Sequence, residues 1–96
     1  MAYSFERTTV RIDTATPFWS WSDEITEHVE VTYVATGKLI EHSVIVENDF
    51  ILKKKYIFKD KESYDEFNND PIMSPLWPER NKYNTDNNII SVRTEL

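Results

Sequence analysis

Residues 41–58, "EHSVIVENDFILKKKYIF", constrain the fold of this chain more than any other stretch. Apolar residues alternate with polar ones on both sides of Glu47-Asn48-Asp49, the period of two that puts one face of a strand against a core. Asn and Asp tolerate left-handed backbone, so the segment reads as a hairpin of strands 39–47 and 50–58 with a three-residue connection. With Val46 opposite Phe50, His42 falls opposite Lys54. Both then stand on the face that is otherwise apolar.

The remaining elements are read outward from that hairpin. "YSFERTTVRID", residues 3–13, is an alternating, β-branched strand with Val10 and Ile12 expected inward. Pro17 stops regular pairing, and Ser20 with Asp23 has capping-box spacing that opens a helix. Ile25, Val29, Thr32 and Tyr33 keep a helical stripe up to Gly37, a natural C-cap. Val29, Val31 and Tyr33 also alternate as a strand would, so residues 28–35 admit both readings. The caps and the length favour helix. Asp60 caps a second helix carrying Tyr64 and Phe67, which Asp70-Pro71 interrupts. Ser74-Pro75 restarts it with serine at the cap and proline at the first helical position, and Pro78 lies in the first turn. Asn87-Asn88 turns the chain into a final strand, "IISVRTEL". One α+β domain over residues 1–96 follows, β-α-β-β-α-β. Right-handed crossovers make it a four-stranded antiparallel sheet with the helices on one face, the ferredoxin-like arrangement.

Composition closes many functional classes. The single glycine, Gly37, is incompatible with a phosphate-cradling loop, a dinucleotide fingerprint or a glycine-flanked nucleophile elbow. With no cysteine there is no disulfide, thiolate nucleophile or cysteine zinc site, and a cytoplasmic, reducing location is expected. The opening MAYSFERTTV lacks the order of a signal peptide, and apolar runs fall far short of the roughly 20 residues that span a bilayer. No membrane partner is expected. Seventeen acidic residues against eleven basic ones give a net charge of −6, which repels nucleic acid. Lys53-Lys54-Lys55 is no basic patch, because neighbours on a strand point to opposite faces.

The fragment "YIFKDKESYDEFNNDP" joins an aromatic strand end to a helix with an aromatic at each turn and an Asp-Pro break. In it the chain resembles the dimeric α+β barrel superfamily, which includes antibiotic-biosynthesis-type monooxygenases and stress-responsive barrel proteins. It is also similar to dimeric ferredoxin-like proteins of marine environmental sequences. The resemblance implies a homodimer in which two sheets pack face to face with the helices outside. The face expected there carries Arg7, Thr9, Arg11, Glu41, Ile45, Ile51, Lys53, Lys55 and Ile57, a mixture that suits a partly wet interface. It also implies substrate binding between helices and sheet without metal or flavin, in keeping with the absence of a cofactor motif.

Candidate site residues follow from parity. Glu6 shares its parity with Val10 and Ile12, so a row Glu6, Lys54, His42 across the sheet is expected to face the helices. Burial next to another cation depresses both the lysine and the imidazole and leaves a neutral base. The plain alternative is a snorkelling lysine and a hydrogen-bonded histidine. Trp19, Trp21, Tyr56, Trp77 and Tyr83, with Phe18, are expected either to plug the core or to line a flat apolar ligand pocket. His28 and His42 lack metal-ligand spacing, and no metal is expected. Two functions remain: a homodimeric scaffold or binding module, with room for a small apolar molecule between sheet and helices, or a cofactor-independent monooxygenase-like or acid–base enzyme using His42 and Lys54.

Overall fold

A computed structural model describes residues 1–96. The central hairpin is formed by β2 (Leu39–Asn48) and β3 (Ile51–Phe58). Its turn is tighter than expected. The side chain of Asn48 accepts from the amides of Phe50 and Ile51 at 2.8 and 3.0 Å, and leaves only Asp49-Phe50 between the strands. A bulge between Val46 and Asn48 accommodates Glu47. Val46 therefore lies opposite Leu52, Val44 opposite Lys54, and His42 opposite Tyr56. That is a two-residue slip from the expected register. It preserves which face each side chain occupies and changes every cross-strand partner.

β1 (Tyr3–Val10) pairs antiparallel with β3 and with β4 (Ile90–Glu95), giving the order β2-β3-β1-β4. This is the ferredoxin-like sheet. Phe5 lies opposite Tyr56, Arg7 opposite Lys54 and Thr9 opposite Leu52. These residues face the helices, the reverse of the expected parity for β1. The reason is Phe5, which is 5% exposed and stacks on Tyr56 at 4.9 Å. Burying a phenylalanine stabilises by about 1.5–3 kcal/mol, whereas Ile12 lies beyond the sheet and stays 69% exposed. Glu6, Thr8 and Val10 consequently point to the outer face.

α1 (Asp23–Val29) is capped by Ser22, whose hydroxyl accepts from the Ile25 amide at 3.3 Å, two residues after the expected cap. The helix widens into a π-helical turn over Glu30–Val34, closed by the Ala35 amide donating to the Glu30 carbonyl at 2.8 Å. Residues 28–34 are thus helical. Val29 and Tyr33 are 2% and 1% exposed, while Val31 between them is 63% exposed, so spacing of four and not of two meets the core. Gly37, at φ 78°, ends the element.

α2 (Lys61–Asn68) is capped by Asp60, whose carboxylate accepts from the Ser63 amide at 2.8 Å. After the break at Asp70-Pro71, α3 (Leu76–Asp86) begins with Pro75 at the cap position, one residue later than the expected cap at Ser74. Asn88, at φ 56°, turns the chain into β4. The core lies between sheet and helices. It joins Phe5, Tyr56 and Phe58 of the sheet to Val29, Tyr33 and Phe67 of the helices.

Candidate functional site

The segment from Pro17 to Trp21 crosses the open side of the sheet before α1. Arg11 anchors it by donating to the Thr16 carbonyl at 2.9 Å, and its guanidinium lies 4.3 Å from the centre of the Phe18 ring. The Tyr83 hydroxyl donates to the Pro17 carbonyl at 2.5 Å. Tyr83 therefore clamps this segment and does not line the cleft.

Beneath the segment is a cleft of three lobes that share walls. The largest, about 280 Å³, is walled by Phe18, Trp19, Trp21, Val29, Val34 and Val44, with His42 and Lys54. A neck of about 30 Å³ lies among Arg7, Trp21, Lys54, Tyr56, Trp77 and Arg80. The third lobe, about 160 Å³, is bounded by Phe5, Tyr64, Phe67, Arg7, Arg80 and Arg93. Of the expected site residues, the fold brings together His42, Lys54, Trp19, Trp21, Tyr56 and Trp77.

Glu6 is not among them. It lies opposite Lys55 and Thr94, on the outer face. The expected Glu6–Lys54–His42 row is therefore absent, because the parity of β1 is set by Phe5. Arg7 occupies the place next to Lys54 instead.

His42 stacks on Tyr56 with ring centres 4.6 Å apart and meets Trp21 at 5.1 Å. It lines the large lobe with one ring face against Tyr56, and as a whole residue it is exposed. Desolvation, and then the Lys54 cation, hold its imidazole below the ordinary value. Burial, followed by the charges of Arg80 and Arg7, lowers Lys54. Arg80 is brought down to about 10 by burial and then by Arg7, which still leaves it charged at neutral pH. Burial pushes the Tyr56 phenol up to about 12 against the opposing pull of Arg7 and Arg80.

Two groupings escape a reading of the sequence. The first is the cation set Arg7, Lys54 and Arg80, whose signal is Phe5 as the parity marker and Arg80 three residues after Trp77 on one helix face. The second ties α1 to the break before α3. The Asp70 carboxylate accepts from Tyr33 at 2.5 Å and lies 2.9 Å from Nε2 of His28, while Nδ1 of His28 meets the Thr32 hydroxyl at 3.3 Å. Burial raises Asp70, but hydrogen bonds from Tyr33, His28 and the Ile72 amide outweigh it and hold the carboxyl below its ordinary value. No sequence spacing announces this contact across 42 residues. No group of three His, Cys, Asp or Glu side chains is arranged to hold a metal ion. No helix is long and apolar enough to cross a membrane.

Sheet order and helix placement define a ferredoxin-like α+β protein with an aromatic, cationic cleft. No family model and no curated protein matches the chain. A solved structure similar to it is that of a dimeric ferredoxin-like protein from an uncultured marine organism. The two share 13% identity over 99% of this chain and 94% of that one, with a TM-score of 0.53. The likeness is one of fold.

Proposed function

We propose that this protein binds a small, flat apolar molecule between its sheet and its helices, and does so as a homodimer. The observation that carries the binding reading is the large lobe of about 280 Å³, faced by Trp19 and Trp21. Its size approaches the range of about 300–1,000 Å³ typical of ligand pockets, which are concave, mostly apolar and sparsely polar. All three tryptophans of the chain line the cleft. Their indole N–H signals in a proton–nitrogen spectrum therefore report occupancy directly. Benzyl alcohol should shift Trp19 and Trp21 saturably, and Val34→Trp, which fills the lobe, should abolish the shift. Unmoved indole signals in the wild type would overturn the proposal.

The dimer reading is supported by the outer sheet face. Ile51, Val10 and Ile90 lie side by side there with Val92 next to Ile90, and Ile90 and Val92 are 63% and 55% exposed; Ile45, 50% exposed, and Ile57 stand apart on the same face, beside Lys53 and Glu41. Contiguous apolar area of this kind marks an interaction surface. On β1 this face carries Glu6, Thr8 and Val10 in place of the expected Arg7, Thr9 and Arg11. The similar marine protein is itself described as dimeric.

Acid–base chemistry at the same lobe is a second reading, favoured by the lowered His42 beside the Lys54 cation. It requires that His42→Gln reduce turnover of a bound substrate while leaving affinity unchanged; equal turnover in the variant would remove it. Glu6 has no part in it.

A further inference from the structure

The neck of the cleft holds more positive charge than the protein's own structure uses. Lys54, Arg7 and Arg93 lie directly opposite one another across β3, β1 and β4, on the face turned to the helices. Arg80 reaches the neck from α3 and lines it with Arg7 and Lys54, whereas Arg93 borders the third lobe. Like charges directly opposite on a sheet destabilise it. A chain with seventeen acidic residues could supply a counter-charge, yet no acidic side chain lines the neck or the third lobe.

Only Arg93 is well partnered, by the hydroxyls of Tyr3 and Tyr64 and by Glu95. Arg7 has one hydrogen bond, to the Ser91 hydroxyl at 3.2 Å. Arg80 donates to its neighbour Asn81 at 3.3 Å, and its Nε–H is buried without any partner. Lys54 meets only the face of Trp21, at 5.9 Å. Aromatic faces attract these cations but do not neutralise them. An unpaired, partly desolvated charge is costly, and three of them converge here.

We propose that Arg7, Lys54 and Arg80 bind the carboxylate of an amphipathic organic acid whose flat apolar body fills the lobe faced by Trp19 and Trp21. This deepens the binding function proposed above and rests on it. Arg80 and Arg7 both line the neck beside Lys54, and a guanidinium fork grips a carboxylate with two parallel hydrogen bonds. The neck, at about 30 Å³, has room for about two water-sized groups, the size of two carboxylate oxygens and too small for a phosphate with its shell. Trp21 and Lys54 belong to both the neck and the large lobe, so acid group and body are held by continuous walls.

The test compares phenylacetate with its neutral isostere phenylacetamide and with inorganic phosphate, read from the same indole signals. Phenylacetate should bind at least about tenfold more tightly than the amide, the worth of one charged hydrogen bond. Raising salt should weaken the acid alone. Arg80→Met should remove most of the preference while raising the melting temperature of the ligand-free protein, a combination a structural arginine would not show. Arg7→Met repeats the measurement if Arg80→Met does not fold, and the salt response of the wild type needs no variant. Equal affinity for acid and amide overturns the carboxylate site and leaves the apolar cleft standing. Phosphate binding more tightly than phenylacetate also overturns it. Binding of none of the three overturns the cleft reading and this inference with it.

Discussion

Replacing Lys54 with methionine isolates the electrostatic cost of the cleft, because methionine keeps most of the lysine stem and removes only the ammonium. The side chain is half-buried, directly opposite Arg7, and has no acidic partner. Replacing a buried charged group with an apolar one of similar volume often stabilises by about 1–4 kcal/mol; half-exposure selects the lower part, about 1–2 kcal/mol. In a domain of this size each 1 kcal/mol moves the melting temperature by about 4–8 °C, so a rise of about 4–16 °C is expected in low salt at neutral pH. The pH dependence follows from the lowered Lys54. Below its folded value the lysine is charged in both states and the penalty is complete. As pH rises from there toward the unfolded value, near 10.5, the unfolded chain binds more protons and the wild type gains stability. The advantage of Lys54→Met must therefore shrink between pH 7 and about 10. Circular dichroism melts of both proteins at the two pH values measure it. A melting temperature that is unchanged or lower at neutral pH would refute the reasoning, as would a gain of equal size at both. In the same variant the His42 imidazole should titrate at higher pH, since one of the two causes depressing it is gone.

Tyr33→Phe removes a donor from the buried Asp70 carboxylate and should cost about 1.5–3 kcal/mol at neutral pH. Because Asp70 is lowered in the fold, its contribution is present above its ordinary value of 3.8 and lost as pH falls through the folded value; the gap between variant and wild type should close in acid. A gap of the same size at pH 7 and at about pH 2 would show that the hydroxyl does not act through the carboxylate. For the outer face, light scattering at tens of micromolar should return twice the 11.4 kDa chain mass. Ile45→Asp should return one chain mass with little change in the fold, because Ile45 is half exposed in the single chain. A wild type of one chain mass would end the homodimer proposal.

What the sequence makes legible is governed by local chemistry. The hairpin, the Asp60 cap, the Asp-Pro break and the Gly37 terminus each depend on residues within a few positions of one another, and each is found. Boundaries that differ by one or two residues, at Ser22 and Pro75, do so where several groups can serve one helix end. The slip at Asn48 has the same origin. Its side chain can satisfy two amides and so tighten the turn, and alternation alone cannot choose between registers that differ by two.

The parity of β1 is different in kind, and the candidate site turns on it. "YSFERTTVRID" carries two aromatics, Tyr3 and Phe5, early on one face and two aliphatics, Val10 and Ile12, late on the other, so period-two reasoning is balanced until the third dimension says what covers each end of the strand. The helices cover the end at Phe5 and leave the end at Val10 uncovered. That choice moves Glu6 to the outer face and puts Arg7 beside Lys54. It thereby converts an expected acid–base row into a set of unpaired cations. Arg80 is hard to see for a related reason, since its spacing from Trp77 is the one cue and α3 has no strongly apolar face to fix its rotation. A reading from sequence locates the unusual lysine and histidine, because they interrupt an apolar pattern. It misses the arginines, because an arginine breaks no pattern until its neighbours are known. The charge that gives the cleft its chemistry comes from three separate elements, and only the packed sheet and helices bring it together.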